Sequence, residues 1–265
     1  MQAIRAILVA LFLGVGLAGT VAAGPYEDAD AAYYKGDYTT ALRLYRPLAD
    51  KGNVDAQWSL GFMYYNGQGV PQDYATAVKW YRLAADQGDA KAQYNLGLMY
   101  ANGNGVPQDY ATAVKWFRLA ADQGNANAQF NLGVMYDNGN GVPQDYAAAV
   151  KWYRLAADQG NANAQFNLGF MYANGRGVPQ DYAAAVKWYR LAADQGDASA
   201  QSNLGFMYDE GLGVPQDYIQ AHKWLNLGAV DGDKDAIKYR DIVAGKMTPA
   251  QIAEAQKLAR EWKPK

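Results

Sequence analysis

The chain has 265 residues, and its 24 basic and 26 acidic side chains give a formal net charge of −2 at pH 7. Because this mildly acidic chain has no basic block, its composition argues against electrostatic binding of nucleic acid. Cysteine is absent, which excludes disulfides and thiolate metal sites.

The first 23 residues have the three parts of a secretory signal peptide. Arg5 supplies a short positive region, residues 7–17 supply an apolar core, and Val21-Ala22-Ala23 supplies a small-residue cleavage site. An uncleaved membrane anchor is the alternative, because residues 6–23 are almost long enough to span a bilayer. We predict that residues 1–23 are cleaved and that the protein is periplasmic, with secretion as the alternative and no membrane contact after cleavage.

Residues 24–52 form a shorter unit that opens the helical part of the chain. Tyr38 and Tyr45 hold the same register as residues 36 positions later, but the glycine-rich loop of the later units has shrunk to Gly36-Asp37. Aspartates near its start add the polarity that a terminal unit needs. We predict an N-terminal capping unit here.

Residues 53–232 contain five copies of a 36-residue unit. Each copy has an alanine and a proline at equivalent positions: Ala56, Ala92, Ala128, Ala164 and Ala200, and Pro71, Pro107, Pro143, Pro179 and Pro215. A fixed period in this range is typical of stacked supersecondary units. No strand-like alternation is present, so we predict an all-α protein.

Each copy contains two amphipathic segments. The first, about 90–101, follows an N-cap residue (Asp89, Asn125, Asn161 and Asp197 in successive copies). The second runs over about 109–123, and its predicted apolar stripe contains Ala113, Trp116, Phe117, Leu119, Ala120 and Ala121. Gly97 recurs inside the first helix of every copy, which indicates close helix approach. A lone hairpin cannot bury its apolar face, whereas stacked hairpins can, so the sequence predicts an α-solenoid.

After the fifth copy the pattern fades, and residues 233–265 are predicted to form a C-terminal helical cap. Two helices are expected, at about Lys234–Ala244 and Pro249–Trp262. The second opens with Thr248-Pro249-Ala250-Gln251, a capping box with proline at the first helical position. Its apolar stripe can seal the end of the stack.

The repeat resembles a known family at specific positions. Residues 92–124, AQYNLGLMYANGNGVPQDYATAVKWFRLAADQG, are similar to the Sel-one-like repeat, a longer-looped relative of the tetratricopeptide repeat. The resemblance covers roughly residues 26–232. It implies a right-handed superhelix of antiparallel helix pairs that serves chiefly as a protein-interaction scaffold, and it implies no particular reaction.

No catalytic constellation is found in the sequence. The three serines lie outside known nucleophile motifs, and the single histidine, His222, replaces a valine of the earlier copies. We interpret His222 as a tolerated substitution at a partly exposed helix position, with a general base or metal ligand as the alternative. The Asn-Gly loops, such as residues 137–145, lack the register of a calcium loop and are interpreted as turns. We predict a non-enzymatic protein with no catalytic residue, cofactor or metal.

The first helix of each copy has a second stripe, opposite the one that packs on the second helix, and this stripe varies most between copies. In the tetratricopeptide class these positions line the concave groove, which the resemblance implies here. The candidate partner-binding residues are Trp58, Phe62, Lys91, Tyr94, Leu98, Asn127, Phe130, Asn163, Phe166, Phe170 and Phe206. Large aromatic side chains commonly carry interface energy. The alternative is that these rings pack between neighbouring repeats.

Three functions are compatible with the residues. We favour a periplasmic scaffold that holds a protein or peptide segment in an aromatic-lined concave groove. Binding of a glycan, such as peptidoglycan or exopolysaccharide, is the alternative, because aromatic rings beside Asn and Asp also suit sugars. A β-lactam-hydrolysing enzyme is a second alternative, since some cysteine-rich relatives have that association, but their cysteines are missing here.

Overall fold

The computed structural model describes residues 24–230 and 234–265. The predicted signal peptide, residues 1–23, and the predicted boundary at residues 232 and 233 lie outside the described residues. Within the described ranges the chain forms fourteen α-helices and no strand. The odd-numbered helices are α1 (Pro25–Tyr34), α3 (Val54–Asn66), α5 (Ala90–Asn102), α7 (Ala126–Asn138), α9 (Ala162–Asn174), α11 (Ala198–Glu210) and α13 (Lys234–Ala244). The even-numbered helices are α2 (Tyr38–Asp50), α4 (Tyr74–Asp86), α6 (Tyr110–Asp122), α8 (Tyr146–Asp158), α10 (Tyr182–Asp194), α12 (Tyr218–Gly228) and α14 (Pro249–Glu261).

Side-chain caps fix where the helices begin. The Asp89 carboxylate accepts a hydrogen bond from the Ala92 backbone N–H at 2.6 Å, and Asn125, Asn161 and Asp197 cap their helices in the same way, as predicted. The second helix of this repeat begins at Tyr110, one residue later than expected, because the Asp109 side chain caps the N–H of Thr112. Gly124, with φ of 88°, takes the left-handed conformation predicted just after this helix.

Neighbouring helices pack in chain order. Each even-numbered helix from α2 to α10 contacts the odd-numbered helix before it and the one after it. The core of each repeat combines small alanines with large aromatic and aliphatic side chains. Around α6 it contains Ala113, Phe117 and Leu132, all fully buried. The predicted close approach at Gly97 is confirmed, since a Cβ atom there would lie 2.6 Å from the Phe117 ring. The protein is therefore an α-solenoid of antiparallel helix pairs with a 36-residue period.

Two sets of polar contacts join successive repeats. The Gln93 side chain, which is buried, donates to the backbone carbonyl of Ala85 at 3.2 Å and accepts from Gln123 at 2.8 Å. The Arg118 guanidinium lies 5.8 Å from the Tyr136 ring centre and 5.9 Å from that of Trp152, both in the following repeat. The glutamine contacts recur at Gln57, Gln129 and Gln165, and arginine–tyrosine contacts recur at Arg46, Arg82, Arg154 and Arg190.

The predicted apolar stripe of the second helix is wrong at one position. Leu119 is 48 % exposed, and the equivalent Leu83, Leu155 and Leu191 are also exposed. The even-numbered helix is covered on two sides, by the first helix of its own repeat and by that of the next, and Leu119 lies on the side that remains open. Val114 is buried instead.

The C-terminal helices close the last repeat. Helix α12 contacts both α13 and α14, and Trp224 meets Trp262 with ring centres 6.3 Å apart. The capping box at Thr248 is confirmed, because its side chain and that of Gln251 cap each other's backbone N–H groups. Of the helices in the described ranges, none has the length and apolar character needed to cross a membrane.

Candidate functional site

The predicted partner-binding residues lie on one side of the odd-numbered helices. We call the surface formed by these eleven residues of α3, α5, α7, α9 and α11 the first-helix face. Trp58, Tyr94, Phe130 and Phe166 are half-buried there, whereas Phe206 is 38 % exposed. Phe62 and Leu98 are half-buried, Phe170 is 37 % exposed, and the polar members Lys91, Asn127 and Asn163 are exposed.

The rings in the centre of this face rest on the second helix of their own repeat, so the expectation that this stripe lies opposite the second helix is wrong for them. Tyr94 packs on Phe117 with ring centres 6.1 Å apart, and Phe130 packs on Tyr153 at 6.0 Å. Phe166 meets its partner in α10 at 5.8 Å. One side of each ring therefore belongs to the core, and the remainder of the half-buried ring forms the surface.

A cavity of about 370 Å³ opens at the N-terminal end of the first-helix face, and we call it the N-terminal pocket. Three of the predicted residues, Trp58, Phe62 and Lys91, line it. Its other lining residues come from the capping unit and from helix starts: Tyr26, Asp30, Tyr33, Tyr34, Tyr45, Asp55, Ser59 and Asp89. The capping unit therefore forms one wall of this cavity.

Aromatic rings build much of this pocket. Trp58 and Phe62 are stacked, with ring centres 5.4 Å apart and planes inclined by 21°, and Tyr33 meets Phe62 edge-on at 6.5 Å. The ammonium of Lys91 lies 5.5 Å from the centre of the Trp58 ring. The Trp58 Nε1 atom is buried and has no hydrogen-bond acceptor among the described residues, so packing and stacking hold this indole.

Polar groups fix the opposite wall. The Tyr45 hydroxyl donates to the Asp30 carboxylate, and the hydroxyls of Tyr26 and Ser59 lie 3.3 Å apart. Burial raises the pKa of Tyr45, and the hydrogen bond to Asp30 raises it further. Burial also raises the pKa of Tyr26, with additional contributions from the charges of Asp30 and Asp55. Both phenols are therefore neutral at neutral pH, and the pocket's negative charge resides on its carboxylates.

The sequence contains a signal for the pocket wall formed by α1, but this signal was not used when residues 24–52 were predicted to be a capping unit. Tyr26, Asp30 and Tyr33 are spaced i, i+4 and i+7, which places them on one side of α1. That side was interpreted only as part of a cap. What brings it to Trp58 is the packing of α1 and α3 around α2, a tertiary relationship.

Further cavities follow the same face toward the C-terminal end. The largest of them, about 420 Å³, is lined partly by Phe166, Ser202 and Phe206, together with Tyr239 from α13. Two smaller cavities, of about 90 and 240 Å³, are lined by Phe62 with Leu98 and by Phe170 with Phe206. The first-helix face thus has recesses at both ends that its predicted residues help to line.

The structure gives no support to the chemical alternatives for His222. This side chain is only 3 % exposed, so the predicted partly exposed position is wrong. The equivalent valines are buried as well, because the following helices cover this side of every even-numbered helix. Its Nδ1 atom has no hydrogen-bond partner among the described residues, and burial lowers its pKa. In the described part of the chain, no group of three or more acidic or histidine side chains is placed to hold a metal ion.

Known proteins share this architecture. A 32 % identical Sel1 repeat protein from Oxalobacter formigenes superposes with a TM-score of 0.77 over 92 % of this chain and 99 % of its own. The protective antigen c5321 of uropathogenic Escherichia coli, which displays an SLR fold, is 30 % identical with a TM-score of 0.61, over 90 % of this chain and 60 % of its own. No curated protein matches the chain.

The sequence model of the Sel1 repeat matches six consecutive segments, which together span most of the chain. The segments are 26–53, 54–89, 90–125, 126–161, 162–197 and 198–233. The first of them coincides with the predicted capping unit, so this unit also carries the repeat pattern. The chain therefore belongs to the Sel1 repeat family.

Proposed function

We propose that this protein is a non-enzymatic scaffold that binds a segment of a protein partner along the first-helix face. Sel1 repeat proteins are generally protein–protein interaction scaffolds. The observation that carries the proposal is the arrangement of half-buried rings from Trp58 to Phe166 with recesses at both ends. In solenoids the concave wall is the usual binding surface, and we assign this face to it.

Binding of a partner to this face is favoured because it removes apolar surface from water. A half-buried aromatic ring still has apolar area to remove from water, at roughly 25 cal/mol per Å². Because one side of Tyr94 or Phe130 already packs on its own repeat, the ring is ordered before binding. Rigid aromatic anchors lose little conformational entropy on binding, which suits them to interfaces.

A protein segment suits this face better than a glycan. Sugar rings stack on an open aromatic face, but the ammonium of Lys91 already lies over the Trp58 ring and Phe62 is stacked against it. The exposed rings Phe170 and Phe206 line recesses of about 240 and 420 Å³, which can take side chains of a protein segment. We therefore rank a peptide or protein partner first.

The compartment is part of the proposal. We propose that the protein acts in the periplasm, on the basis of the signal-like residues 1–23. Release of a product lacking these residues by osmotic shock would support this location. Recovery of the uncleaved protein in the cytoplasmic fraction would contradict it.

Site-specific photo-crosslinking in the native host tests the binding face. A photoreactive phenylalanine analogue replaces Phe170 or Phe206 on the first-helix face. The matched controls are Leu155 and Leu191, which are 41 % and 40 % exposed on even-numbered helices. We expect one discrete protein adduct from the two phenylalanine positions and none from the leucine positions.

A binding variant completes the experiment. The double substitution Trp58→Ala and Phe166→Ala should abolish the adduct, while the circular dichroism at 222 nm stays unchanged because both rings are only half-buried. Adducts from the leucine positions alone, or an adduct that survives the double substitution in a folded protein, would place the partner elsewhere.

A further inference from the structure

We propose that the N-terminal pocket takes a basic side chain, that of a lysine or arginine on the bound partner segment. This inference deepens the proposed function and rests on it, because it names the chemistry of one contact on the first-helix face. The pocket combines carboxylates that form no close ion pair with the described residues, aromatic faces and a volume suited to one side chain.

The charge of the pocket is negative. Asp30, Asp55 and Asp89 line it, and Lys91 is its one lining cation. These groups give a formal charge of −2. Within the described residues, no ion pair with a separation of 4.0 Å or less involves any of these three carboxylates. A ligand cation could therefore form close ion pairs that the described residues do not already form with these carboxylates.

Each carboxylate keeps acceptor capacity for a ligand. Asp55 is exposed, and its side chain has neither a hydrogen bond nor an ion pair in the described part of the chain. Asp89 uses Oδ1 to cap the N–H of Ala92, whereas Asp30 accepts from the Tyr45 hydroxyl through Oδ1 and also interacts with the Tyr26 hydroxyl. An ionised carboxylate can accept several hydrogen bonds, which matches the three donors of an ammonium and the five of a guanidinium.

The aromatic wall suits the same ligand. A cation within about 6 Å of a ring centre is attracted by the negative face of the ring, and tryptophan is the best such partner. Trp58 already carries the Lys91 ammonium and the stacked Phe62 ring, so the tyrosines of α1 supply the aromatic surface that a ligand cation would meet. Tyr33 and Tyr34 extend the aromatic surface, and Tyr34 is 84 % exposed at the rim.

The size of the pocket limits what enters it. Its volume of about 370 Å³ lies at the lower end of small-ligand sites, which span roughly 300–1,000 Å³. A single long side chain suits this space. The pocket is also continuous with the first-helix face through Trp58 and Phe62, so a segment lying along that face can insert a side chain here.

The test uses three small probes of matched shape: Nα-acetyl-lysine methylamide, its neutral norleucine counterpart and Nα-acetyl-glutamate methylamide. Each is titrated into the purified full chain while the ¹H–¹⁵N signal of the Trp58 indole is followed. That signal is assigned by its loss in Trp58→Phe. We expect a saturable shift with the lysine probe and at least fivefold weaker binding of the other two.

Charge variants identify the cause of any binding. Asp55→Asn should weaken binding of the lysine probe at least threefold and leave binding of the norleucine probe unchanged. Asp122→Asn, an exposed control on α6, should change the binding of neither probe. Lys91→Met should increase the affinity of the lysine probe, because the substitution removes the competing cation. Preference for the glutamate probe, with loss of binding in Lys91→Met, would overturn the proposal and make Lys91 the anchor of an anion site.

The two proposals fail in different ways. If Phe206 still crosslinks a partner but the lysine probe does not shift the Trp58 signal, the basic-side-chain assignment is wrong and the binding face stands. If the lysine probe binds as expected but no adduct forms on the first-helix face, the scaffold proposal fails and the pocket is a site for a free amine.

Discussion

Gly97 lies against the ring of Phe117 so closely that a Cβ atom on the glycine would stand 2.6 Å from the phenylalanine Cδ1. The same approach recurs between Gly61, Gly133 and Gly169 and the tyrosines Tyr81, Tyr153 and Tyr189. This contact sets how near the two helices of a hairpin lie, and the first-helix face depends on that spacing because Tyr94 rests on the same Phe117 ring.

We predict that Gly97→Ala destabilises the protein by about 1–3 kcal/mol, as overpacking of a core does, although alanine is the better helix former. Urea denaturation followed by circular dichroism measures the change in the free energy of unfolding. The cost should largely disappear in a Phe117→Ala background, which removes the opposing ring. A stabilised Gly97→Ala variant would show that the helices can separate freely.

The buried glutamines should matter more than their exposed partners. Gln93→Ala removes the hydrogen bond to the Ala85 carbonyl and the acceptor for Gln123, and leaves that carbonyl without its side-chain donor. We expect a loss of about 1–3 kcal/mol in the free energy of unfolding. Gln123→Ala is the matched control and should lose less, since Gln123 is exposed. Equal losses would contradict this account.

The arginine between repeats should not be replaceable by lysine. The Arg118 guanidinium lies near both the Tyr136 and Trp152 rings and donates to the Tyr136 hydroxyl. Lysine keeps the charge but lacks the planar fork, so Arg118→Lys should cost about 0.5–2 kcal/mol in thermal or urea unfolding. Lys115→Arg, at an exposed position on the same helix, should cost nothing measurable. If Arg118→Lys left the free energy of unfolding unchanged, the positive charge alone would account for the contribution of Arg118.

His222 should make stability depend on pH. Burial and the charge of Arg240 lower its pKa, while Asp241 opposes this effect. The unfolded chain therefore binds the proton first, with a pKa near 6.5, so the free energy of unfolding falls as pH drops below that value and is unaffected above it. The fall continues until the pH reaches the lowered pKa of the folded state, with a slope of at most about 1.4 kcal/mol per pH unit.

The comparison that isolates this effect is His222→Val, because valine occupies the equivalent buried position in four earlier repeats. The valine variant should be more stable than the parent chain at pH 5 by a larger margin than at pH 7.5. Parallel pH profiles of the two proteins in urea denaturation would mean that the histidine is not desolvated.

The sequence determined the repeat and its helices, because their causes are local. The capping side chain of Asp89 and the left-handed conformation of Gly124 act over a few residues, and both were correctly predicted. The apolar spacing within each segment is equally local, and the stripe predicted from it was wrong at Leu119. The eleven residues of the first-helix face also followed from helical periodicity, although their role in binding stays a prediction. Local pattern does not reveal which neighbours cover a helix.

Only the tertiary structure decided which sides of each helix are covered by neighbouring helices. A single helix pattern cannot distinguish one covered side from two, so Leu119 was expected to be buried and His222 partly exposed, and both expectations were wrong. The N-terminal pocket has the same origin, because Asp30 and Trp58 lie 28 positions apart in sequence and meet only through the packing of α1, α2 and α3. Local spacing fixes which side of a helix a residue occupies, whereas the docking of the next helix fixes whether that side is core, surface or pocket.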